Sequence, residues 1–425
     1  MSTDAQHKTR TLWLLGMLHA FTHIYNVALL PLYLLIKRDF GFAGEGQATS
    51  LVTVLMLSYF VPSYWLGILA DRVSRKKLLS YGLALNGIGF VALAFAPNYC
   101  CALTACVIAG IGGSFYHPAA TAMIARLFPV RTGRAFGLVG IGAGVGFFLG
   151  PIYAGWRAGM LEAARGAAAW REPVLELGIL GILGAIVFAC LADKEKSPSP
   201  TERQPKHADK LFPAPALYLF FFAAAFAFGL RDFVGASMGS LGSLFLQKAQ
   251  GYDASYTGKA LSGLFLAAAV GNPLFGKLSD GGRKRWTAMV LTISAVLVLI
   301  FPRVPKDWAI PVLLVYGFFF MASYPMIEAA LMESVPDSVR GRIYGMFITV
   351  GGIVGQISHW IVGEIVKRMG DAAHQPENYF PLYGVLAGML ILTLLGLPCL
   401  HAIRLREHVK PEHRNALNPY VVPTE

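Results

Sequence analysis

Apolar residues in this chain come in long unbroken runs, without the period-2 or period-3.6 alternation of water-facing elements. The runs fall at approximately 12–36, 49–71, 77–96, 100–125, 134–158, 172–192, 213–246, 257–279, 286–302, 307–333, 341–366 and 380–404. Nearly all are long enough to cross a ~30 Å hydrocarbon core as helices. In lipid only helices and closed barrels satisfy every backbone group, and runs this continuous exclude the alternating strands of a barrel. The pattern predicts an all-α polytopic membrane protein of twelve spans. The first eleven residues are polar, and the run after them exceeds a signal-peptide core, so it is expected to stay as a span.

Composition agrees: the 425 residues are 55% hydrophobic and 14% charged, with a mean hydropathy of +0.55. The net charge of +12 might suggest a nucleic-acid partner, but its distribution argues otherwise. About two-thirds of the Lys and Arg fall on the side that carries both termini, which is the positive-inside pattern. The basicity therefore reports topology, with both termini cytoplasmic in a plasma or bacterial inner membrane, and no nucleic acid is expected. The five cysteines show neither a C-x-x-C nor a zinc-type spacing. No cofactor and no resident metal centre are expected.

The polar segment "DKEKSPSPTERQPKHADK" (193–210) reads as a flexible linker with six spans on either side. The expected organisation is a bundle over 1–192, a cytoplasmic linker over 193–212, a second bundle over 213–404 and a cytoplasmic tail over 405–425. The halves also echo each other. "GILADRVSRKK" (Gly67–Lys77) follows the second span and "GKLSDGGRKR" (Gly276–Arg285) follows the eighth; "GRAFG" (Gly133–Gly137) opens the fifth and "GRIYG" (Gly341–Gly345) the eleventh, at nearly the same offset. Repeated parallel halves place a solute pathway between them, near the bilayer midplane.

On these residues the chain resembles the major facilitator superfamily. "GILADRVSRKK" is similar to its G-x-L-a-D-r-x-G-r-k loop, with Gly67, Leu69, Ala70, Asp71, Arg72, Arg75 and Lys76 matching and Ser74 where Gly is usual. The resemblance implies gating roles for Asp71, Arg72, Arg75 and Lys76, and for Asp280 and Arg283 in the second copy, where Gly281 replaces the usual Arg. Asp71 ends a helix, where its charge favours the N-terminus of a neighbour. A solvated basic loop explains the bases but not the Asp.

Span five reads "GLVGIGAGVGFFLGPIYAG". Gly142, Gly146 and Gly150 make one small face for close helix approach, and Pro151 removes a backbone donor. The stretch with Gly146, Gly150, Pro151 and Gly155 is similar to the G-x-x-x-G-P-x-x-G-G motif of drug–proton antiporters, with Ala154 in place of the first closing Gly. Three further segments resemble the fosmidomycin-resistance-like branch: "HAFTHIYN" (His19–Asn26), "GSFYHPAA" (Gly113–Ala120) and "LRDF" (Leu230–Phe233). Tyr116, His117 and Pro118 stand at that branch's F-H-P, and Arg231 at its Arg, while Asp232 and Phe233 replace Ser and Trp.

Arg231 and Asp232 sit near the middle of span seven. An intramembrane charge is costly and must face a watery cavity or a partner. Neighbouring helix positions diverge by about 100°, so the two need not pair with each other. The expectation is that Arg231, His23, Asn26, His117 and Tyr116 contact substrate. Asp232, Glu328 and His117 are expected to carry protons. A structural charge pair is the alternative. "GASMG" around Ser237 mimics a hydrolase elbow, but lies inside an apolar helix. "GNPLFGKL" approaches a P-loop but has Leu278 where the Mg²⁺-binding Ser or Thr belongs.

The expected function is proton-coupled efflux of a small drug-like or anionic solute by a monomeric carrier, with no enzymatic activity. A proton-coupled importer of an organic anion is the alternative. A divalent metal carrier through His19, His23 and His117 is a minor one, because these residues would need further ligands from other helices.

Overall fold

The computed structural model describes residues 3–70, 73–128, 132–193, 211–212, 214–335 and 340–408. Among them the regular elements are helices, and no strand occurs. Asp71 and Arg72, expected to act in gating, lie outside the described residues, as do most of the expected linker and the tail beyond residue 408.

Ten stretches are long and apolar enough to cross a membrane, against the twelve spans expected. One stretch, Arg134–Leu191, contains both span five and span six, joined by a short turn of 3₁₀ helix at Gly166–Trp170. Span two is divided into Glu45–Phe60 and Ser63–Ala70, neither long enough alone. Each of the other expected spans coincides with a single stretch.

Proline explains most of the breaks within spans. A ring inside a helix removes one hydrogen bond and clashes with the carbonyl four residues earlier. Span ten accordingly breaks at Met321–Ala322, one turn before Pro325, into Ala309–Phe320 and Ser323–Glu333. Span twelve breaks at Leu394–Leu395 before Pro398. Span four breaks at Phe115 before Pro118 and restarts with Tyr116 and His117 in its first turn. Pro151 behaves differently, since helix Thr132–Arg165 runs through it unbroken. Span seven is also continuous, from Pro215 to Leu244.

Two boundaries move. The first helix begins at Thr3, so the polar residues before position 12 extend it. Asp193, expected in the loose linker, is tied to that helix: Thr11 Oγ1 donates to its carboxylate at 2.9 Å and Arg10 lies 3.3 Å away.

The bundles meet most closely at the end remote from the N-terminus. Helix Glu45–Phe60 packs along Ser358–Met369, and Thr132–Arg165 along Ala254–Leu266. Hydrogen bonds join them there. Tyr33 OH and Ser240 Oγ are 2.7 Å apart, Ser243 Oγ donates to the Leu30 carbonyl at 2.5 Å, and Trp360 N–H donates to Thr53 Oγ1 at 2.9 Å. Lys248 Nζ reaches Glu45 at 2.7 Å, and Lys37 completes the triad at 2.8 Å.

Candidate functional site

Span seven's continuous helix carries Arg231 into the protein interior, where it is 2% exposed. Its Nε and Nη2 donate to Asp232 Oδ1 at 3.1 and 2.9 Å. The two neighbours therefore do pair with each other, because the long Arg side chain folds back across the angle between adjacent positions. The guanidinium also lies over the Tyr324 ring, 3.8 Å from its centroid, a favourable cation–π arrangement. Its third nitrogen, Nη1, is buried with no hydrogen-bond partner among the described residues. An unmet donor on a buried cation is a place for an acceptor to arrive.

Asp232 is admitted by span eleven, where a side chain at Gly351 would stand 2.6 Å from its Oδ2 and one at Gly355 2.8 Å from its Cβ. Glu328 joins the group from span ten. Tyr344, Arg231 and Asp232 are close enough to act on it electrostatically. One guanidinium thus bonds one carboxylate and lies within electrostatic reach of a second. Tyr324 and Tyr344 are the members sequence reading missed. Tyr324 precedes Glu328 by four residues, one helical turn on the same face, and that spacing was the available signal.

The second cluster belongs to the first bundle. His19 Nδ1 is 3.0 Å from the Val139 carbonyl, which can only accept, so Nδ1 carries the proton. His19 Nε2 lies 3.1 Å from His23 Nε2. Tyr116 stacks on His19 with centroids 4.7 Å apart and anchors its own hydroxyl on the Leu15 carbonyl. His117 closes the group, with ring centroids 5.3 Å from His19 and 5.8 Å from His23. Its ring is exposed, whereas His19 and His23 are partly buried. His19, left out of the expected substrate contacts, is the hub. Asn26 is buried at 8% exposure and takes no part in the described contacts of the cluster. His359 also lies elsewhere: it bonds Ser240 at 2.5 Å and Gln356 at 2.9 Å in the closed seam between the bundles.

Packed side chains connect the clusters. Tyr59 lies edge-on to His117 and to Phe60. The Phe60 ring fills the space over Gly352, next to the Gly351 that accommodates Asp232. On the other side His23 abuts Phe147 at 4.1 Å, and Phe147 stacks on Phe265 of the second bundle at 4.8 Å.

The span-five glycines divide their work. A side chain at Gly146 would meet the Ala20 carbonyl oxygen at 2.2 Å, so Gly142, Gly146 and Gly150 seat span one. Gly155 instead faces the other bundle, with Ala254 O 2.3 Å from where its Cβ would stand; Gly258 answers it against Pro151 O. Ser262 Oγ donates to Phe148 O at 2.7 Å in the same seam.

At the N-terminal face, Arg283 reaches Glu333 at 2.5 Å and Asp280 at 3.4 Å, bracing the loop after span eight to the end of span ten. Lys76 donates to the Ala192 carbonyl at the end of span six. Arg75 stands beside it in the first turn of Arg75–Ala94.

The sequence model of the Major Facilitator Superfamily matches residues 12–359. Quinolone resistance protein NorA of Staphylococcus aureus is 24% identical over 392 residues, covering 87% of this chain and 91% of that protein. The fosmidomycin resistance protein of Escherichia coli is 22% identical over 393 residues, covering 91% and 93%. Among solved structures, a bacterial homologue of the lysosomal transporter Spinster, inward-facing and unoccupied, superimposes with a TM-score of 0.74 at 16% identity. It covers 95% of this chain and 99% of that one.

Proposed function

Since the chain belongs to the Major Facilitator Superfamily, as a multi-pass membrane transporter of small solutes and not an enzyme, we propose that it exports a drug-like or anionic solute in exchange for protons. In this reading it works as a monomer with both termini in the cytoplasm, and the close seam on the far face corresponds to an inward-open state. The observation that carries the reading is the imbalance of charge around Arg231: its guanidinium bonds Asp232, while Glu328 lies close enough to act on both electrostatically. In this reading Asp232 takes the proton, and Glu328 keeps the remaining negative charge beside Arg231. A proton and the basic group of a solute compete for Asp232, and competition for one site enforces exchange. Arg231 Nη1 offers a donor to the acidic group of the same solute.

Resistance proteins for a quinolone and for fosmidomycin among the relatives support export. One observation favours the importer alternative. Asp232 occupies Arg231 directly, so a proton on Asp232 frees Arg231 for an anion, and proton and anion would then bind together.

Inside-out vesicles holding the protein, acidified internally and carrying a pH-sensitive dye, separate the two. Antiport predicts that adding a transported solute drains protons from the acid interior, and that Asp232→Asn removes this exchange while leaving a folded protein. A full response from the Asn variant would remove Asp232 from coupling. No response to organic anions, organic cations or fosmidomycin would support import, which solute-driven proton uptake in right-side-out vesicles then tests.

A further inference from the structure

We propose that His19, His23 and His117 form a binding site for a borderline divalent cation of the Zn²⁺ and Co²⁺ class. The sequence puts His19 and His23 on one helix face but leaves open where His117 stands relative to them. The fold supplies the third imidazole from span four, where the break at Phe115 leaves His117 in the first turn of Tyr116–Leu127.

Two features carry the assignment. The first is distance. Zinc–imidazole bonds of about 2.0–2.1 Å at a tetrahedral centre hold ligand nitrogens roughly 3.3 Å apart. His19 Nε2 and His23 Nε2 already stand 3.1 Å apart, and ligand nitrogens of all three residues lie within 4.8 Å of one another. The remaining adjustment falls to His117, the exposed member of the group, whose ring lies edge-on to Tyr59 and Tyr116.

The second is orientation. The Val139 carbonyl holds the proton of His19 on Nδ1, which leaves Nε2 bare and aimed at His23. A backbone carbonyl on the far nitrogen is the usual way a ligating imidazole is fixed in tautomer and direction. Tyr116, stacked on His19 and tethered to Leu15, holds that ring in place.

The donor set decides the class of cation. Three neutral nitrogens and no oxygen disfavour Mg²⁺ and Ca²⁺, which take oxygen ligands, and suit Zn²⁺, Co²⁺, Ni²⁺ or Cu²⁺. Three protein ligands leave the fourth position open, as at zinc sites that bind an exchangeable group. No carboxylate joins the cluster, so the bound ion keeps its charge and the open position takes an anion.

The test reads binding alone and is independent of the transport reading. Full-length protein carrying a tag without histidine is purified in detergent and titrated with Co²⁺. The visible bands of four-coordinate cobalt should appear with one ion per chain and be displaced by Zn²⁺. His23→Ala and His117→Ala should each weaken binding by more than about tenfold, since even outer-sphere changes cost about that much. His401→Ala, an exposed residue outside the cluster, should not. Wild-type protein that shows no such bands at saturating Co²⁺ overturns the site whatever the variants do. So does unchanged binding in folded His23→Ala and His117→Ala proteins.

Discussion

Arg231 is held by two side chains at once, and they constrain what replacing it can do. Its Asp232 bonds satisfy two nitrogens, Tyr324 covers one face, and Nη1 remains unmet. Breaking a buried pair from one side leaves an uncompensated charge, at about 3–5 kcal/mol. Arg231→Ala should therefore lower the melting temperature, and Arg231→Ala with Asp232→Asn should recover part of the loss, a non-additivity expected of residues in direct contact. Additive losses in the double variant would mean the pair does not act as a unit. In transport, Arg231→Ala should weaken anionic solutes more than cationic ones, and equal losses would remove its role in anion recognition.

At the scale of elements, span five is the hinge strip between two kinds of contact. Gly146 touches a backbone within its own bundle, whereas Gly155 touches a backbone in the other. A large residue at each should fail differently. Gly146→Leu forces span one away from its seat and should lower the melting temperature and the yield of folded protein. Gly155→Leu forces only the bundles apart. Folded protein should persist, but the seam near Ser262 should open to a membrane-impermeant thiol reagent when Ser262→Cys is placed in a cysteine-free background. Labelling equal to that with native Gly155 would show that the glycine does not control the seam.

For the whole molecule, the seam on the far face is sealed in part by Glu45, which is 2% exposed between Lys37 and Lys248. Burial alone would raise the Glu45 pKa; hydrogen bonds from Lys248 and Lys37 outweigh it and hold the carboxyl below its usual range. A carboxylate with a lowered pKa stabilises the arrangement that lowers it. The effect is complete above the usual carboxylate range and is lost as pH falls through the lowered value. Spin labels on the outer ends of the bundles should report a closed distance at neutral pH and a growing open population in acid. Glu45→Gln should show that population already at neutral pH. Identical distance distributions in all three conditions would remove the triad from the seal.

Hydropathy acts along one stretch of chain, so the sequence by itself determined the all-helical membrane fold and the placing of Arg231 within span seven. The i, i+4 relation of His19 and His23 was equally local. The tertiary structure alone decided which side chains face one another across helices. It brought His117 to the His19–His23 pair, set Tyr324 beneath Arg231, left Asn26 and His359 outside the clusters, and gave Gly146 and Gly155 to different neighbours. These pairings join residues tens to more than a hundred positions apart, and they depend on how helices cross and rotate. Runs of apolar residues carry no record of that rotation. Even the bond between adjacent Arg231 and Asp232 depended on it, because the surrounding helices determine where a long side chain finds room to fold.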